Sequence, residues 1–208
     1  MTWASVRYLR TPPRQTELAA VTGASAGAAN AVMAAAMWCE DWTETHDDDP
    51  DRNIFHDAWA PVGIEELLPD QSSAFTAGDG LLNAAPLEEA IGRIRTLLLE
   101  RGPRFRPGCA VSIGLTVTRD RPQERRVAGL RAGTQRFVIP WRFEVDAQGR
   151  PSVVAAALPP DRGSAASQLL LGEPAGTSGI GSLLTSQAIL ASMAFPFAFR
   201  PRELCDWA

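Results

Sequence analysis

Residues 20–30, AVTGASAGAAN, constrain this chain more than any other stretch. An apolar run, ELAAV at 17–21, leads into Gly23, and from Ala26 to Trp42 the composition turns to Ala, Met, Val and Trp. The first reads as a buried parallel strand and the second as a helix. A strand that turns straight into a helix through Gly, Ala and Ser serves one of two incompatible purposes. It is either a glycine loop that cradles a dinucleotide or a sharp turn that presents Ser25 as a nucleophile.

The dinucleotide reading fails on chemistry. TGASAGAA resembles the TGxxxGxG turn of short-chain dehydrogenases, where glycines let the backbone approach a pyrophosphate at a helix N-terminus. Ala29 stands in place of the last glycine. That chemistry also needs a tyrosine with a lysine four residues later, and here all 20 cationic side chains are arginine and the single tyrosine is Tyr8. The acidic residue that should hold a ribose falls inside a DDDPD loop with no second strand before it.

The nucleophile reading has its required context. Gly23-Ala24-Ser25-Ala26-Gly27 is a G-x-S-x-G pentapeptide between a strand and a helix. A serine there needs a strained turn to project its hydroxyl, and small neighbours let strand and helix pass closely. The N–H of Ala26, at the helix start, points where a carbonyl oxygen would become an oxyanion. The structural alternative is a small-residue helix entry packed against a sheet. A Ser-Asp-His hydrolase would place its histidine last in the chain. Only His46 and His56 exist, both soon after the serine, and each reads as a loop or surface residue. An aspartate acting alone as base is the arrangement left.

These residues resemble the patatin-like phospholipase family, serine acyl hydrolases with a Ser-Asp dyad. VTGASAGAANAV is similar to that family's elbow, including Asn30-Ala31 after it. ASMAFPFAFRP at 191–201 resembles its ASxAxPxxFxP segment. DRNIFHDAWAPVGIEELLP and DGLLN resemble elements of bacterial members. The resemblance implies an α/β, three-layer α/β/α fold with a central, mostly parallel sheet. It also implies hydrolysis of a lipid or phospholipid ester, with Ser25 as nucleophile and the Ala26 N–H in the oxyanion hole. No cofactor or metal is implied, and contact with a membrane surface would be transient.

Two departures stand beside these matches. The family's glycine-rich oxyanion loop should precede the serine, yet residues 1–22 contain no glycine. Its catalytic aspartate sits in a DGG or DGA turn after ASxAxPxxFxP, where this chain ends in RPRELCDWA. The catalytic aspartate is thus expected to lie outside this chain; Asp79, before Gly80 and read as a loop ahead of a helix, and Asp206, with no glycine after it, are the substitutes within it. The expectation is therefore a single partial domain over 1–208, incomplete at both ends and with little activity by itself. The competing class is a catalytically inactive fragment or pseudoenzyme that serves as an interaction module.

The rest of the chain fits a globular protein, with 45% hydrophobic and 21% charged residues. Trp3, Val6, Tyr8 and Leu9 fit a short helix, stopped at Pro12-Pro13. Residues 54–70 read as short helical or irregular pieces punctuated by Pro61, Gly63 and Pro69. Pro86 starts an amphipathic helix through Arg101, with Ile91, Ile94, Leu97 and Leu98 on its buried face. Period-two patterns then predict strands at 109–118, 135–145 and 152–158, and a helix follows from Ser182 to Met193. Between the first two strands, 119–136 carries six arginines. It reads as a solvated loop, with contact to anionic lipid head groups as the functional alternative.

A formal net charge of −4 gives no general signal for nucleic acid. Cys39, Cys109 and Cys205 have no metal-ligand spacing and read as buried or idle thiols. The acidic DDDPD lacks the spacing of a calcium loop. Trp38, Trp42, Phe55 and Trp59 read as core, with an acyl-chain pocket as the alternative. No signal peptide or membrane span is visible, so a cytoplasmic or membrane-peripheral location is expected.

Overall fold

The computed structural model describes residues 2–11, 16–41, 53–68, 80–100, 104–156, 168–169, 171, 183–194 and 198–204. Among the described residues the elements follow one another in the order α1 (Thr2–Arg10), β1 (Ala20–Ala24), α2 (Ala26–Cys39), α3 (Ile54–Trp59), α4 (Ile64–Leu67), α5 (Ala85–Glu100), β2 (Ala110–Val127), β3 (Leu130–Val145), β4 (Pro151–Ala155) and α6 (Leu183–Met193). The α/β expectation is met.

The sheet runs β1-β2-β3-β4. Its pairing is mixed where mostly parallel strands were expected: β1 lies parallel to β2, while β2–β3 and β3–β4 are antiparallel. The reason is local. Short turns join β2 to β3 and β3 to β4, and such turns can only reverse the chain. Alternate residues of β2 and β3, including Val111, Ile113, Leu115, Phe137, Ile139 and Phe143, are buried. The intervening positions carry Ser112, Thr116, Arg142 and Glu144, and Arg142 pairs with Glu144 at 3.1 Å. Among the described residues the helices cover the apolar face, so two of the three expected layers are seen.

Helix α2 is the centre of the molecule. From Ala31 to Cys39 every residue is buried, because Ala and Met let it sit against β1 and β2 on one side and α1, α3 and α6 on the others. Its far end is closed by two arginines. Arg10 donates to the carbonyls of Met37 and Glu40 at 3.0 and 2.9 Å, and Arg106 donates to Trp38 O at 2.9 Å. These guanidiniums satisfy carbonyls that the helix leaves unpaired and face the negative end of its dipole. Burial, and then the neighbouring Arg106 charge, lower the Arg10 pKa to about 10.

Three sequence expectations need correction. Cys39 and Cys109 are not idle thiols but form a disulfide that ties the end of α2 to the start of β2, 70 residues apart; Cys205 lies outside the described residues. The strand expected at 17–21 begins at Ala20, and Ala20, Thr22 and Ala24 are exposed, because β1 has one face open. Residues 119–136 are not a loop. They extend β2 and β3 into one long hairpin, which the polar composition of both faces conceals from a period-two search.

Candidate active site

Ser25 sits at the hinge between β1 and α2. The register sets Gly23 beside Leu115 and Ala24 beside Thr116, so Ser25 emerges where two parallel strands run out in the same direction. Crevices at the carboxyl ends of parallel strands are where α/β proteins hold ligands. The turn itself is strained, since Ser25 adopts φ 55° and ψ −133°. A non-glycine residue in so sparse a region costs about 1–3 kcal/mol and persists only where its surroundings impose it.

Gly23 is part of what imposes it. A methyl group at Gly23 would lie 2.0 Å from Gly27 O and 2.7 Å from Ala28 N. The strand can therefore pass the first turn of the helix only with glycine at this position. Gly27 is different: a Cβ there meets nothing within 4 Å. Close passage thus rests on one glycine of the pentapeptide rather than two.

The hydroxyl of Ser25 is exposed and makes no capping hydrogen bond to its own helix, although Ser25 stands in the N-cap position. The first N–H groups of any helix have no intrahelical acceptor, and α2 has no acidic residue in its first turn. The first turn of α2 therefore supplies no carboxylate of its own to the positive end of the helix dipole at Ala26. An oxygen held beside Ser25 and bearing developing negative charge would meet that end.

Other elements converge on this edge of the sheet. Ser192, near the end of α6, donates its hydroxyl to Thr116 O at 2.6 Å. Thr116 is the register partner of Ala24, so α6 ends level with the Ser25 turn. The chain after α6 is pinned in turn by the segment at 80–83. Leu82 N–H donates to Ala198 O at 2.7 Å, and a Cβ on Gly80 would lie 2.5 Å from Phe199 Cα. Arg202 then pairs with Glu88 at the start of α5. Gly80 and Leu82 are packed against Ala198 and Phe199, far from them in the sequence. Asp79 and Asp206 both lie outside the described residues, as do His46 and the DDDPD stretch.

His56 lies on α3, is exposed, and has Asp57 as a 3.8 Å ion-pair neighbour. Asn30 has a role the sequence does not disclose. Its Oδ1 accepts a 2.8 Å hydrogen bond from Trp59 Nε1, bracing α3 against the second turn of α2. Asn53 caps α3 by accepting from Phe55 N and His56 N. Trp38 is core, and Phe55 and Trp59 pack partly buried against that core; Trp42 lies outside the described residues. A cleft of about 360 Å³ lined by Arg10, Trp38 and Arg106 opens at the opposite end of α2 from Ser25. A helix of 14 residues separates the two by about 20 Å. No described helix is long and apolar enough to cross a membrane.

A family model for patatin-like phospholipases matches residues 7–206. The chain belongs to that family. Its members are, in general, lipid acyl hydrolases, and a lipid ester is the general class of substrate. Neither a curated protein nor a solved structure matches the chain. The match spans the Ser25 turn, the hairpin and the segment after α6, and begins within α1.

Proposed function

We propose that this patatin-like protein hydrolyses carboxylic esters of lipids, in the manner of a phospholipase A or esterase, with Ser25 as its nucleophile. The observation that carries the reading is the conformation of Ser25. A strained, exposed serine on a strand–turn–helix, with its hydroxyl unused by the helix it heads, has no structural task that alanine could not perform.

In this reading an aspartate takes the hydroxyl proton as the Ser25 Oγ attacks the acyl carbonyl. The N–H of Ala26 stabilises the oxyanion, and the alcohol leaves with the proton. Water then attacks the acyl-serine as the aspartate takes its proton, and the aspartate returns that proton to Ser25 Oγ as the fatty acid leaves, restoring both groups. Asp79 and Asp206 are the candidate bases. Asp79 has the added support that its neighbour Gly80 is packed against the segment following α6. The substrate is a lipid presented at a surface, with which the protein makes transient contact.

A fluorophosphonate probe tests the assignment directly. It should label Ser25, and both labelling and turnover of a p-nitrophenyl ester should disappear in Ser25→Ala. Substitution of the true base by asparagine should lower turnover by about 10²- to 10⁴-fold. Labelling that survives in Ser25→Ala would remove Ser25 from the mechanism.

A further inference from the structure

Strands β2 and β3 do not end at the core. Beyond the buried pair Val117 and Phe137 they run on to Val127 and Leu130 and close on Ala128-Gly129, with φ 50° and 83°. Two left-handed residues in a two-residue loop match the twist of the flanking strands. Arg119 stacks on Phe137 at the base, 4.8 Å from the ring centroid. From Thr118 to Arg136 no residue whose side chain is described is buried. The pairs from Gln123–Thr134 to Val127–Leu130 carry the tip about 15 Å past the register shift at the base.

The direction of this arm matters. Strand β2 is parallel to β1 and continues the same way past Thr116, the partner of Ala24. The arm therefore leaves the sheet at the end where Ser25 stands.

Its chemistry is that of an interfacial anchor. Six arginines against Asp120 and Glu124 make the arm strongly positive within a chain of net charge −4. Arg126 lies directly opposite Arg131, and both are exposed. Like charges across a strand pair are destabilising, a cost that an anionic partner would remove. Beside them is Leu130, 73% exposed and the most exposed large hydrophobic among the described residues. A soluble polyanion would engage the arginines and leave Leu130 in water. An anionic bilayer would engage both, with guanidiniums at the phosphates and leucine at the acyl boundary. At physiological salt, screening within about 8 Å keeps the acidic remainder of the protein from cancelling this attraction.

We propose that the hairpin over 118–136 is a docking arm for an anionic lipid surface, which holds the Ser25 edge of the sheet toward the interface. The orienting role rests on the lipid hydrolase reading above; the docking itself does not depend on catalysis.

Co-sedimentation of the full chain with phosphatidylglycerol-containing vesicles tests it. Wild type and Ser25→Ala should bind equally, should bind phosphatidylcholine vesicles far less, and should be released by salt. Arg126→Ala with Arg131→Ala should weaken binding about 25-fold, about fivefold per arginine. Leu130→Ser should weaken it about tenfold. The double Arg→Lys variant should bind as wild type does. Circular dichroism confirms folding of each variant, and labelling of Ser25 by the fluorophosphonate probe reports separately on the nucleophile. Failure of the wild type to bind, equal binding to neutral vesicles, or binding by the double alanine variant within twofold of wild type overturns the proposal. So does binding to duplex DNA without binding to vesicles.

Discussion

Gly23 and Gly27 stand so close across the β1–α2 turn that a methyl group on the first would sit 2.0 Å from the carbonyl oxygen of the second. The atoms in the way are backbone, which cannot swing aside as a flexible side chain would. Gly23→Ala should therefore cost more than the ~1–3 kcal/mol usual for overpacking. Gly27→Ala adds its methyl to open space inside a helix and should stabilise by about 0.5–1 kcal/mol. Paired urea titrations of the two variants check this. Equal effects would show that the strand and helix do not pass as described.

The strain at Ser25 separates stability from activity. Alanine keeps the Cβ and with it the cost of φ 55°. Glycine populates that region freely, so Ser25→Gly should be more stable than wild type by about 1–3 kcal/mol. Ser25→Ala should lie close to wild type, and neither variant should react with a fluorophosphonate. Thermal denaturation measures the difference between the two. A glycine variant no more stable than the alanine one would mean that the turn relaxes without constraint.

The Cys39–Cys109 disulfide joins the end of the central helix to the start of the strand that pairs with β1. Closing a loop across 70 residues limits the unfolded chain more than the folded one. Cys109→Ser, or reduction of the wild type, should lower unfolding stability by about 2–4 kcal/mol. Reductant should have no further effect on the variant. Denaturant titrations with and without dithiothreitol supply the comparison.

The sequence carried much of this architecture because local signals and tertiary structure agree there. Pro86 and the apolar spacing of Ile91, Ile94 and Leu98 mark α5, and the alternation in 109–118 and 135–145 marks the core of the hairpin. Agreement fails where the partner is distant. Nothing near Cys39 points to Cys109, and nothing near Asn30 points to Trp59. The arm at 119–136 is polar on both faces, so its strands leave no alternation to read, and the pair that turns it includes an alanine, not the usual Asn-Gly. At the site, the pentapeptide around Ser25 is legible from residue types alone. That Gly23 carries the close passage while Gly27 has room requires coordinates, as does the link from Ser192 to Thr116.

Asp146 gives the β3–β4 turn a pH dependence. Its carboxylate accepts from the backbone N–H of Arg150 and of Gln148, both at 2.8 Å, and from Arg150 Nε at 2.7 Å. The Arg150 N–H bond is the main cause that holds the carboxyl below its ordinary value of 3.8, against the opposing effect of desolvation, with the Arg150 side chain and the Gln148 N–H adding to the lowering. With a folded pKa below the unfolded one, the folded state binds fewer protons as the pH drops through this range. The stabilisation is thus fully present above 3.8 and disappears as the pH falls through the folded value. Carbon-13 titration of the Asp146 carboxyl should show a midpoint under 3.8, with faster amide exchange at Gln148 and Arg150 on its acid side. In Asp146→Asn that acid-dependent step should vanish while Gly149, at φ 76°, keeps the turn sterically allowed. A midpoint at or above 3.8 would show that the turn does not hold the carboxylate.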